Sequence, residues 1–96
     1  MIEIREMFVG TKEYLDVPIT ASVMLNAQPV QIRIGPNGAW MDADWQGNPD
    51  YTRTASVLLG GSNVLPPVGL YKVFALVTDL TEIPIFEVGT LKVSQG

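Results

Sequence analysis

The sequence predicts an all-β domain of about seven strands, nearly all antiparallel and packed as two sheets. Three observations carry that expectation. Val30, Ile32 and Ile34 alternate with Gln31 and Arg33, the period-two signature of a half-buried strand. Clusters of Gly, Pro, Asn and Asp recur between strand-like runs at close to the spacing of a sandwich or barrel. No stretch of about ten residues carries helical periodicity.

The elements follow in order. Ile2, Ile4 and Met7 flank Glu3, Arg5 and Glu6 in a weak first strand, and Gly10-Thr11-Lys12 turns the chain. Residues 14–19 form a second strand, with Leu15, Val17 and Ile19 on one face and Tyr14 and Asp16 on the other. Pro18 lacks a backbone donor, which places this strand at an edge or a bend. Residues 22–28 connect it to the strand centred on Ile32. Gly35-Pro36-Asn37-Gly38 is a tight turn, because Asn and Gly tolerate positive φ. Residues 39–46 return as a strand carrying Trp40 and Trp45, and Gly47-Asn48-Pro49-Asp50 turns again. Residues 51–59 form the next strand. Gly60-Gly61-Ser62-Asn63 is a loop stiffened at its far end by Pro66-Pro67. Residues 70–78 are the most β-like run, Asp79-Leu80-Thr81-Glu82 is a turn, and residues 84–93 close the fold.

Ninety-six residues make one domain, with residues 1–9 either its first strand or an N-terminal arm. Cysteine is absent, which excludes disulfide staples and thiolate metal sites. Histidine is absent too, so no Ser-His-Asp or Cys-His catalytic arrangement can form. The net charge is −4, and the six basic residues are scattered without a cluster. Nucleic acid is therefore not an expected partner. No apolar run approaches the ~20 residues of a membrane span, so no membrane partner is expected either. The acidic start, with Glu3 and Glu6, does not read as a secretory signal.

Few residues suggest chemistry. Asp42, Asp44, Asn48 and Asp50 supply hard oxygens but lack the spacing of a calcium loop, so a solvated acidic turn is the expectation. Asp79 and Glu82 sit in a short turn that offers no cleft for paired-carboxylate catalysis. The Gly-rich turns precede no helix and are not phosphate cradles. No catalytic, cofactor-binding or metal-binding residue is expected. Trp40 and Trp45 could make a carbohydrate platform, but their odd spacing directs them to opposite faces of a strand. One would be core and the other an exposed contact anchor. Candidate partner contacts are Ile2, Ile4, Met7, Phe8, Trp40 and Trp45.

Gly69 stands two residues before Tyr71 at the start of a late strand, which resembles the tyrosine corner of immunoglobulin-like sandwiches. On that likeness Tyr71, Val73, Ala75 and Val77 face inward and the Tyr71 hydroxyl bonds nearby backbone. The run from Gly69 to Asp79, then Glu82-Ile83-Pro84-Ile85, then Val88-Gly89-Thr90-Leu91-Lys92-Val93, resembles small virion proteins of tailed phages, especially those infecting actinobacteria. Tyr14-Leu15-Asp16-Val17-Pro18 and Asp44-Trp45 match further elements of that pattern. The family's usual Pro-Glu pair is replaced here by Thr81-Glu82. The resemblance implies an antiparallel immunoglobulin-like β-sandwich in a non-enzymatic virion accessory, made in the bacterial host cytoplasm. The implied partner is the phage major capsid protein, bound as a decoration or minor capsid protein, with self-association an added option. Tail or neck proteins are the alternative partners, and a host-glycan-binding adhesion module is the third reading.

Overall fold

Seven strands follow one another: β1 (Glu3–Phe8), β2 (Glu13–Leu25), β3 (Val30–Ile34), β4 (Met41–Gln46), β5 (Asp50–Leu59), β6 (Gly69–Val77) and β7 (Ile85–Ser94). The computed structural model describes residues 3–10, 12–35, 38–60, 66–78 and 85–95. Expectations for Ile2, Pro36, Asn37, residues 61–65, Asp79 and Glu82 lie outside the described residues, as does the side chain of Ile4.

The strands make one sheet in the order β1-β7-β6-β3-β4-β5-β2. Five neighbouring pairs are antiparallel, whereas β1 runs parallel to β7, with Arg5 opposite Leu91 and Met7 opposite Val93. The all-β expectation holds, and the strands form a single mixed sheet, curled almost into a barrel, where two nearly all-antiparallel sheets were expected. The parallel pair has a plain cause. No short turn joins β1 to β7, so nothing forces them to run in opposite directions. The curl brings the outermost strands together. Arg5 of β1 donates from Nη1 to the Tyr14 carbonyl at 2.6 Å and from Nη2 to Glu13 at 2.8 Å, both on β2. Pro18 sits on that outermost strand β2, where a missing donor is tolerated.

Period-two alternation fills the interior. Leu15, Val17 and Ile19 of β2 meet Ala55, Val57 and Leu59 of β5. Val30, Ile32 and Ile34 of β3 meet Val73, Ala75 and Val77 of β6, and Leu91 and Val93 of β7 complete the layer. Each fully buried aliphatic side chain contributes about 1.5–3 kcal/mol relative to exposure. Tyr71 is half-buried, packs on this core and donates its hydroxyl to the Pro67 carbonyl at 2.7 Å. Gly69 makes room for it: an added Cβ there would stand 3.4 Å from three atoms of the Tyr71 side chain.

β1 is part of the fold. Met7 is fully buried in the core, so its candidacy as an exposed partner contact is corrected. Outside, Glu6 accepts a hydrogen bond from the Ser94 hydroxyl at 2.6 Å and pairs with Lys92 at 3.5 Å. These contacts, the Ser94 hydrogen bond foremost, hold the Glu6 carboxyl below its ordinary 4.5, against a smaller opposing effect of burial.

Two outcomes follow from this strand. Met7→Ala opens a cavity between β1, β7 and the core and should cost about 2–5 kcal/mol in a denaturant titration. A loss below about 0.5 kcal/mol would mean that β1 does not hold the core. Glu6, with its lowered folded pKa, stabilises the chain above about pH 4.5, and that contribution is lost as pH falls through the lower folded value. Glu6→Gln should therefore show a shallower fall in Tm below pH 4.5 than the wild type.

Candidate functional site

Among the described residues, the outer face of β3 and β6 carries an arginine between two aromatic rings. Arg33 of β3 lies directly opposite Phe74 of β6. Its guanidinium carbon stands 4.9 Å from the Phe74 ring centre and 4.6 Å from that of Trp40. Both distances are in cation–π range, so the two rings clamp one cation. All three side chains are half-buried. Arg33 Nε is buried with no hydrogen-bond partner, and among the described residues Arg33 makes no ion pair.

Local sequence explains how Trp40 reaches Arg33. The chain returns from β3 through Gly38, which lies against the backbone it has just left. An added Cβ would overlap the Ile34 carbonyl oxygen and touch Arg33 Cγ at 3.4 Å. Only glycine lets residues 38–40 pass this close.

Polar pairs border the clamp. Gln31 donates to Asp42 at 3.1 Å on one side, and Lys72 pairs with Glu87 at 3.4 Å on the other. An aromatic and arginine centre with a polar rim is the anatomy of a protein-contact patch. A clamped guanidinium loses little further freedom when an acceptor arrives, and its planar fork suits a carboxylate or backbone carbonyl.

The other candidate contacts fall elsewhere. Trp45 is half-buried on the core side of β4, and its indole N–H donates to the Gln28 carbonyl at 2.8 Å. Arg53 covers its ring at 5.5 Å. The same arginine reaches the carbonyls of Leu25, Asn26, Gln46 and Gly47, tying two loops together. Trp45 therefore caps the fold from within, and the two indoles form no common platform. Phe8 ends β1 and is 42% exposed, near the exposed Val9, Val68 and Leu70. The acidic group is divided by β4: Asp42 faces Gln31 of β3, whereas Asp44 lies beside Ser56 of β5. Asp50 accepts from the Tyr51 amide at 2.6 Å. Among the described residues no three His, Cys, Asp or Glu side chains gather as a metal site.

Sequence reasoning set Trp40 and Trp45 on opposite faces without saying which was exposed, and it missed Arg33 and Phe74 as partners of Trp40. The available signal was the position of Arg33, on the outward side of the most regular strand. No protein-family model matches the chain, and no curated protein or solved structure matches it.

Gly38→Ala tests how the clamp is built. The added methyl should cost about 1–3 kcal/mol in a urea melt, because backbone and not a flexible side chain must yield. A variant as stable as the wild type would mean that residues 38–40 are not pressed against β3.

Proposed function

We propose that this chain is a non-catalytic docking domain of a phage virion, made in the host cytoplasm and assembled onto the particle. The observation that carries the docking reading is Arg33 held between Trp40 and Phe74 inside a polar rim. Trp and Arg dominate the energetics of protein interfaces, and a pre-ordered arginine lowers the entropy cost of contact. The virion assignment rests on the sequence resemblance from Tyr14 to Val93 described above. Within it the major capsid protein is the preferred partner, since a small domain without disulfide staples gains stability by binding a large surface. Tail or neck proteins are the alternative partner.

The same reading takes the curled sheet as an immunoglobulin-like arrangement. Three features support it. Tyr71 bonds the Pro67 carbonyl four residues upstream in the manner of a tyrosine corner. β4 passes from the β3 side to the β5 side, as strands do at the corners of sandwiches. β2 and β5 pack their inner faces on those of β3 and β6.

The test uses particles of the encoding phage. Quantitative mass spectrometry should find the intact chain on purified heads in many copies. The double variant Arg33→Ala, Trp40→Ala should bind chain-free particles at least about tenfold more weakly, as expected when hot-spot side chains are removed. Its melting curve is recorded alongside to show that it is folded. Absence of the chain from virions, or unchanged binding by the folded double variant, overturns the proposal. Presence on tails alone moves the partner to the tail.

A further inference from the structure

Further along the outer surface, β5 runs between β2 and β4, with the short side chains of Thr54 and Ser56 beside them. Ser56 stands opposite Asp16 of β2 and also opposite Asp44 of β4, so the three form one transverse row. Thr54 and Gln46 form the next row. Tyr14 lies one outward position beyond Asp16 on β2, with its side chain 56% exposed. Small residues in the middle and longer ones on both flanks leave a hollow of about 540 Å³, lined by Tyr14, Asp16, Asp44, Gln46, Thr54 and Ser56. That volume falls in the ~300–1,000 Å³ range of small-molecule sites.

We propose that this hollow binds a neutral saccharide ring. Four features of the lining point to that chemistry. It contains no Lys or Arg, so nothing in it would neutralise a phosphate or carboxylate. Its two carboxylates accept hydrogen bonds only, and adjacent hydroxyls of a sugar supply donors at matching spacing. Ser56 is 4% exposed, and its hydroxyl donates to Asp16, which fixes that carboxylate at the floor. The side chains of Asp44, Gln46 and Thr54 and the Tyr14 hydroxyl make no hydrogen bond among the described residues. They offer acceptor and donor capacity that a polyol would use. The exposed ring of Tyr14 adds an apolar wall for the C–H face of the sugar. This site lies on β2, β4 and β5 and shares no residue with the Arg33 clamp, so its occupancy does not depend on the docking reading.

The test is a set of titrations of the full-length, ¹⁵N-labelled chain with glucose, galactose, mannose and N-acetylglucosamine, each to ~50 mM, since one ring in an open hollow binds in the millimolar range. A parallel titration uses calcium chloride. The expected result is saturable shifts with at least one sugar, concentrated at Tyr14, Asp16, Asp44, Gln46, Thr54 and Ser56. Asp44→Asn and Tyr14→Ala, each checked for an unchanged fold by its amide spectrum, should weaken that sugar at least about fivefold. The proposal is overturned if no sugar gives saturable shifts. It is equally overturned if the shifts map to other residues, if the folded variants bind as the wild type does, or if these amides respond to calcium and to no sugar.

Discussion

β4 holds the two halves of the fold together with six residues. Met41, Asp42 and Ala43 pair with β3, and Asp44, Trp45 and Gln46 pair with β5. Without it, β2 and β5 would be a two-stranded ribbon with an uncovered apolar face, and such a ribbon is marginal in water. With it, the inner faces of both halves close on one core. The alternation within β4 serves both jobs. Met41, Ala43 and Trp45 turn inward onto the core, while Asp42 and Asp44 turn outward, the first beside β3 and the second beside β5. Arg53 reinforces the join by stacking on Trp45 and gathering carbonyls from the loops on either side of it.

The outer surface on either flank of this join carries different chemistry. On the β3 side, Trp40 enters just ahead of the first β4 pair and closes over Arg33. On the β5 side, Asp44 is brought level with Ser56 and Asp16, and an acceptor-rich hollow results. A single strand crossing thus separates an aromatic and cationic patch from a polar, anionic one.

Much of this was legible in the sequence because period-two alternation is a local property. The inward sets Leu15, Val17, Ile19 and Val30, Ile32, Ile34 follow directly from it. The pairing of Gly69 with Tyr71 is equally local, as the glycine makes room for a ring two residues away. Direction and partnership are not local. The pattern of β1 is silent about running parallel to β7, and a register irregularity between Glu3 and Arg5 disturbs its phase. The sequence therefore leaves residues 1–9 open between a first strand and an arm, whereas Met7 lies in the core. The Arg33 clamp depends on a cross-strand pair 41 residues apart in sequence, Arg33 with Phe74. The hollow depends on three strands meeting at Ser56. Neither can be seen in any single segment.

If β4 makes one cooperative unit of both halves, they must open together. Native-state amide hydrogen exchange across β2, β5, β3 and β6 at low denaturant measures this directly. The account predicts that the slowest amides of β2 and β5 share one opening free energy with those of β3 and β6, equal to the global unfolding value. A separate, lower plateau for β2 and β5 would contradict it, because that ribbon would then be opening while the rest of the sheet stayed folded.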